Sequence, residues 1–195
     1  MKEYTVSFKK IKLWVDEEIG LPSYSGDSIN YEAKITEESE LDAKDLSVEF
    51  LFPYHASNYG CLSMKYVPNQ TKTLRIYINV FNGKEMKLEN RLSFASDKIT
   101  LGINSNYAKA MMEYIINNEI TKIISSGELS FYTGANSEIG SSIISNLYAV
   151  EILLNLLLLD KYDFDDRKIE KFINQSISAC ESKFKAQKAK IYKTI

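Results

Sequence analysis

Apolar and polar residues alternate through the first half of the chain, which is the period of a β-strand with one buried face. The alternation begins at Tyr4, Val6 and Phe8 and resumes out of phase at Ile11. That shift predicts one strand interrupted by a bulge. Similar patterns occupy residues 29–35, 46–52, 60–67, 74–80 and 85–94. The first half therefore predicts about six strands.

Turn-forming sequences separate these segments. "GLPSYSGD" and "VPNQTK" combine Gly, Pro, Asn and Ser, and the pair Asn82 and Gly83 is the dipeptide most typical of a two-residue hairpin. Short connections favour antiparallel neighbours. The pattern predicts an antiparallel meander with one face exposed to water.

The second half changes to the period of an α-helix. Asn104 or Ser105 is placed to cap a helix with apolar residues at positions 107, 108, 111, 112, 115 and 116. "EITKIISSG" predicts another helical segment that ends at Gly127 in the left-handed conformation. "ELSFYTG" fits a strand or an extended linker.

Two further helices are predicted, from about residue 140 to 159 and from Asp163 or Asp165 onward. We find no internal repeat and no low-complexity linker. The chain is therefore expected to form a single α+β domain over residues 1–195, mainly β in 1–95 and mainly α in 96–195. In this prediction an N-terminal antiparallel sheet packs against C-terminal helices on one face.

Charge and composition narrow the classes of partner. A formal net charge of -2 argues against a nucleic-acid-binding protein, and the lysine-rich end "SKFKAQKAKIYK" fits a solubilising helix end. The most apolar window, 143–159, is short for a membrane span and contains Glu151. Cys61 and Cys180 are far apart in the sequence, which favours a reducing, cytoplasmic location.

The run 133–160 raises two alternatives, because small residues and serines precede a long apolar segment. The glycines and serines of loop 134–142 loosely meet the needs of a phosphate-binding loop. The loop matches neither the P-loop nor the dinucleotide fingerprint, however, and it lacks Lys and Arg and contains Glu138. We therefore expect a helix start capped by Ser137. Glu151 lies on a narrow polar stripe of this helix, which we expect to reach solvent, although a buried glutamate would need a partner.

Catalytic chemistry has little support in the sequence. His55 and Cys61 are the only conceivable nucleophile–base pair, and nothing in their spacing brings them together. One His and two distant Cys match no usual metal-ligand set. We predict that the protein is not an enzyme and uses no cofactor or metal.

The densest charge feature is "TEESELDAKDLSVEF". We expect its carboxylates to form an acidic face that binds a basic protein, with tyrosines of neighbouring turns (Tyr24, Tyr54 and Tyr59) as aromatic anchors. A solvated connector is the simpler alternative. The candidate partner-binding residues are Glu37, Glu38, Glu40, Asp42 and Asp45.

The acidic segment, the missing catalytic set and the run "GANSEIGSSIISNLYAVEILLNLL" together resemble bacterial immunity proteins of contact-dependent and polymorphic toxin systems. The resemblance implies stoichiometric binding and inhibition of a cognate toxin in the cytoplasm. It carries over no individual residue. Two other functions stay open: a phage-encoded inhibitor of host defence, and a small-molecule or nucleotide-binding protein that uses loop 134–142. The oligomeric state is not predicted.

Overall fold

A computed structural model of the chain describes residues 1–6, 9–22, 26–35, 41–52, 59–81, 83, 85–86, 92, 97–159 and 165–193. Side chains are described as far as Ser182, apart from those of Val6, Glu85 and Met86. The described strands are β1 (Lys2–Val6), β2 (Lys9–Val15), β3 (Ser28–Lys34), β4 (Lys44–Leu51), β5 (Tyr59–Pro68), β6 (Thr73–Asn79), β7 (Glu85–Met86), β8 (Ile99–Leu101) and β9 (Gly127–Ser137). The described helices are α1 (Ser105–Ile116), a short 3₁₀ helix (Glu119–Lys122), α2 (Ile143–Leu157) and α3 (Asp166–Lys193). The predicted α+β class is confirmed.

The nine described strands form one sheet with the order β1-β2-β4-β5-β9-β6-β3, and β7 and β8 continue it beside the end of β9. All pairings among β1 to β6 are antiparallel, as predicted. The meander is wrong, however, because β3 pairs with β6 and β9 runs parallel to β6 between it and β5. A parallel pair needs a long crossover, and here the crossover contains β7, β8 and α1.

Several local predictions need correction. The phase shift near residue 8 separates two paired strands, β1 and β2, because Val6 pairs with Lys9. Gly127 does not end a helix but begins β9. A Cβ at Gly127 would lie 2.6 Å from the Tyr66 ring and 2.7 Å from the Val67 carbonyl oxygen, so close strand contact explains the glycine. Asn82 lies outside the described residues, and the strands on either side of it, β6 and β7, pair with other strands.

The main core lies between the sheet and the helices. Helix α2 packs on β4 and β5, α1 on β3 and β6, and α3 on α2 and β1. Leu46, Val48 and Phe50 of β4 point toward this layer and are almost completely buried. Helix α2 is apolar around most of its circumference because neighbouring helices and strands surround it.

The opposite face of the sheet is not fully exposed to water, contrary to the prediction. A second apolar cluster covers part of it, and its members come from β2, the turn after β2, β4, β5, β8 and β9. They are Trp14, Ile19, Leu51, Tyr59, Cys61, Ile99, Leu101 and Ala135. Strands β4, β5 and β9 thus contribute side chains to both faces.

Among the helices that the structure describes, none combines the length and the apolar character that a bilayer crossing requires.

Candidate functional site: an acidic cleft at the start of β4

Only part of the acidic segment predicted to bind a partner lies within the described residues. Glu37, Glu38 and Glu40 lie outside the described residues. Asp42 is exposed two residues before β4, and Asp45 lies within β4 and is half-buried. These two aspartates are therefore the part of the predicted site whose position is known.

A cleft of about 310 Å³ opens beside Asp45. Its walls come from the turn after β2, the start of β4, the middle of β5 and the bulge of β9 described below. They are formed by Asp16, Glu17, Glu18, Ala43, Lys44, Asp45, Lys65, Tyr66 and Tyr132. Sequence reasoning missed the contribution of Asp16, Glu17 and Glu18, although the run "DEE" directly after an apolar strand was a visible signal.

The turn after β2 is fixed to β4 by one backbone bond and one side-chain bond. Asp16 has φ 53°, in the left-handed region that few residues other than glycine adopt. Its amide donates to the Asp45 carbonyl oxygen at 2.7 Å, and its carboxylate accepts from the Asp45 amide at 3.0 Å. This reciprocal pair holds the exposed side chains of Glu17 and Glu18 beside the start of β4.

A β-bulge directs Tyr132 into the same cleft. Ser63 pairs with Thr133 but Met64 pairs with Phe131, so Tyr132 is the extra residue of β9. Its hydroxyl donates to the Asp45 carboxylate at 2.7 Å. Burial, and then the Asp45 carboxylate, raise the pKa of Tyr132 to about 12, so the hydroxyl stays protonated and remains a donor near neutral pH.

The net charge of the cleft is negative. Lys44 is buried, and its ammonium donates to the carbonyl oxygens of Leu157, at 2.7 Å, and of Leu159, at the C-terminus of α2. Its positive charge therefore stabilises the C-terminus of α2. Lys65 is the exposed basic residue of the wall, and the N-terminal amine contacts Glu17. Within the described ranges, no group of three His, Cys, Asp or Glu side chains is close enough to hold a metal ion.

The predicted aromatic anchors are not in this cleft. Tyr24 and Tyr54 lie outside the described residues, and Tyr59 is completely buried on the second cluster. The Tyr59 hydroxyl donates at 3.0 Å to Glu49, the last acid of the predicted segment, which is also completely buried. Tyr132 and Tyr66 occupy the wall instead, and the Tyr66 hydroxyl bonds to Ser125 and Ser126.

Of the suggested catalytic pair, His55 and Cys61, one member lies within the described residues. His55 lies outside the described residues, and Cys61 is 2% exposed within the second cluster. Cys180 is buried in α3 on the other side of the sheet. The prediction that the chain is not an enzyme is left untested by these positions.

Loop 134–142 serves the fold. Strand β9 extends to Ser137, so Ser137 is not the helix cap that the sequence predicted. The cap is Ser142, which forms a reciprocal capping box with Ser145. The Ser141 hydroxyl accepts from the Ser137 amide and donates to the Tyr59 carbonyl oxygen at 2.9 Å. These hydroxyls therefore attach the loop to β5.

A second cleft, of about 450 Å³, lies where this loop meets β8 and the start of α1. It brings Lys98 and Asn104 close to Asn136 and Glu138. The Asn136 side chain is engaged in the fold, because it donates to the Gly102 carbonyl oxygen and accepts from Asn146. Part of the lining of this cleft therefore stabilises the fold.

Glu151 is buried and does not reach solvent as expected: it is 2% exposed. Its carboxylate accepts from the Tyr114 hydroxyl of α1 at 2.6 Å and from the Asn118 amide at 2.7 Å. Burial, followed by Cys180 and Glu151, raises the pKa of Tyr114. Asn118 also caps the 3₁₀ helix, so the network connects three helical segments.

Comparison of the chain with family models, curated proteins and solved structures finds no match to any of them.

Proposed function

We propose that this protein is a non-enzymatic inhibitor that binds a basic protein, and that the partner is a bacterial toxin neutralised by stoichiometric binding. The observation that carries the proposal is the acidic cleft. Carboxylates from the turn after β2 converge there with Asp45, although the two segments are about thirty residues apart in sequence. The fold, and not proximity in the sequence, places these like charges side by side.

The construction of the cleft supports a binding role. Both a left-handed Asp16 and a bulge at Tyr132 are costly or irregular backbone features, and such features cluster at functional sites. Asp45 contacts both of them. The surface is thus preformed, which lowers the entropy lost when a partner binds.

The chemistry of the cleft suggests what enters it. A volume of about 310 Å³ accommodates long side chains, and a mainly acidic wall next to the Tyr132 ring suits an arginine or lysine. Opposite potentials on the two partners also accelerate encounter and set their relative orientation. If the active site of the toxin lies next to the basic surface that binds this cleft, the bound inhibitor covers that active site. The toxin is then inhibited without any chemical step.

The test uses the product of the neighbouring open reading frame as the candidate toxin. The double change Glu17→Lys with Glu18→Lys alters two exposed acids of the cleft wall and retains the bonded Asp16 and Asp45. We expect the association rate to fall about tenfold or more at low salt, and the difference to shrink as salt is added. Surface plasmon resonance over a salt series measures both effects.

The control is Glu113→Lys with Glu138→Lys, which makes the same change of net charge at exposed acids outside the cleft. It should leave most of the association rate intact. Failure of the unaltered protein to bind the candidate and relieve its toxicity would refute the inhibitor proposal for that pair. Binding with equal rates in both double variants would refute the role of the cleft.

A further inference from the structure

Strand β3 forms one edge of the sheet that the described residues build. β3 is last in the strand order, and among the described residues β6 is the only strand that pairs with it. Five of its seven residues are exposed, including Tyr31 at 37%. At the opposite edge, side chains of Lys2 and Tyr4 in β1 contact Asp166 of α3. Among the described residues β3 therefore has an unpaired outer edge, although α1 packs on the strand.

The hydrogen bonds to β6 show which backbone groups of β3 face outward. Val80 donates to the Asp27 carbonyl oxygen at 2.7 Å, and Ile35 donates to the Lys72 carbonyl oxygen at 2.9 Å. Register is continuous between these two bonds. In an antiparallel pair, hydrogen-bonded residues alternate with non-hydrogen-bonded ones, so the odd-numbered residues of β3 bond to β6. The even-numbered ones direct their N–H and C=O groups to the open edge: Ser28, Asn30, Glu32 and Lys34.

We infer that β3 pairs antiparallel with β3 of a second copy of this chain, with the two-fold axis at Tyr31. An exposed strand edge binds another strand through main-chain bonds, and side chains select the partner and the register. Here the sequence "SINYEAK" complements itself. With the axis at Tyr31, Asn30 lies opposite the second copy's Glu32, and Ser28 lies opposite its Lys34.

Other two-fold registers are less favourable. An axis at Glu32 places two glutamates directly opposite each other, which is destabilising. An axis at Asn30 or at Ala33 shortens the overlap of the two strands. The Tyr31 axis engages the whole strand and opposes no two like charges directly. It also places the outward-facing residues of the two copies in hydrogen-bonded pairs.

Tyr31 is suited to the axis position. Its backbone N–H and C=O groups face β6, so across the open edge it forms a non-hydrogen-bonded pair with Tyr31 of the second copy. The Cα atoms of such a pair are about 4.5 Å apart, so the two tyrosine rings would be in contact. Aromatic cross-strand pairs stabilise sheets beyond the area that they bury. An exposed tyrosine on an edge strand thereby gains a role in self-association.

Disulfide trapping tests this register. Tyr31→Cys places two thiols at a Cα separation of about 4.5 Å, which lies within the range of disulfides, and mild oxidation should convert most of the variant into a covalent dimer. Lys34→Cys is the exposed control. In the proposed register its copies are six residues apart along the strands, about 20 Å, and should not cross-link. The native Cys61 and Cys180 are buried, at 2% and 0% exposure.

A reversible measurement complements the trap. Asn30→Lys faces the second copy's Glu32 with an opposite charge, whereas Asn30→Glu faces it with a like charge. Sedimentation velocity from about 1 µM to about 1 mM should give dimer dissociation constants at least about tenfold apart, with Asn30→Lys the tighter. The same two substitutions at the exposed Gln175 of α3 control for net charge and should give no such separation.

Several results would overturn the inference. An unaltered chain that stays monomeric throughout this range would do so, as would cross-linking of Lys34→Cys in preference to Tyr31→Cys. Equal dissociation constants for the two Asn30 variants would equally exclude the Tyr31 axis. None of these results depends on whether the acidic cleft binds a toxin.

Discussion

Glu151 shows how one residue can organise an apolar layer. It lies on the most hydrophobic of the described helices, where an ionisable group without partners would be costly. Tyr114 and Asn118 both donate to its carboxylate, and they reach it from α1 and from the residue that caps the 3₁₀ helix. The polar network therefore fixes the relative position of these segments as well as satisfying the charge.

We expect Glu151→Leu to lower the free energy of unfolding by about 3 kcal/mol, because it leaves the donors of Tyr114 and Asn118 buried without this acceptor. Glu151→Gln keeps an amide oxygen at the same place and should cost about 1 kcal/mol. Asn155→Leu is the control, since Asn155 is half-buried and its side-chain amide donates to the Glu151 carbonyl oxygen of its own helix. Urea unfolding measures all three, and equal losses for Leu and Gln at position 151 would contradict the network's role.

At the scale of elements, the start of α2 is a closely packed junction with β5. The helix begins immediately after a loop that is attached to β5. The backbone amide of Tyr59 donates to the Gly140 carbonyl oxygen of this loop at 3.0 Å. A Cβ at Gly60 would lie 3.2 Å from the Ser145 carbonyl oxygen, so the first turn of α2 packs closely on the strand. The small residues of the loop serve this approach.

Ser142→Ala should therefore destabilise the protein by about 1 kcal/mol, because it removes the acceptor for the Ser145 amide. The matched control is Ser105→Ala in α1, where the neighbouring Asn104 supplies the cap and the change should stay within about 0.5 kcal/mol. Urea midpoints at constant m-value give both numbers. A loss at Ser105 as large as that at Ser142 would show that the capping box has no special weight.

At the scale of the whole molecule, the sheet links two apolar clusters. Strands β4, β5 and β9 send alternate side chains to the helix layer and to the second cluster. Neither cluster can be exposed without breaking strands that the other needs. The single-domain prediction remains a prediction, but this sharing gives it a physical basis.

The chain should unfold in one cooperative transition. Its single tryptophan, Trp14, belongs to the second cluster and reports that face by fluorescence, while far-UV circular dichroism is dominated by the helices on the other face. We expect coincident urea midpoints for the two signals. A fluorescence midpoint clearly below the dichroism midpoint would instead indicate that the second cluster opens as a separate unit.

Local signals in the sequence located several of the described elements but misplaced others, such as β9, whose first residue Gly127 was expected to end a helix. Alternation located β4 and β6, because residues two positions apart share one face of a strand. The sequence left Asn104 or Ser105 at the start of α1 and Asp163 or Asp165 at the start of α3. In the structure Asn104 and Asp165 bond to amides two or three residues ahead, as caps do. The α+β class follows from these same short-range patterns.

Only the tertiary structure decided what lies next to what. Strand β9 runs parallel to β6, Glu151 is buried between helices, and Asp16 joins Asp45 in one cleft. Each of these facts depends on contacts between residues far apart in the chain. The spacing of residues along the sequence does not predict such contacts. Local periodicity sets each element's inner face, whereas the competition among all pairings for one shared core selects the neighbours.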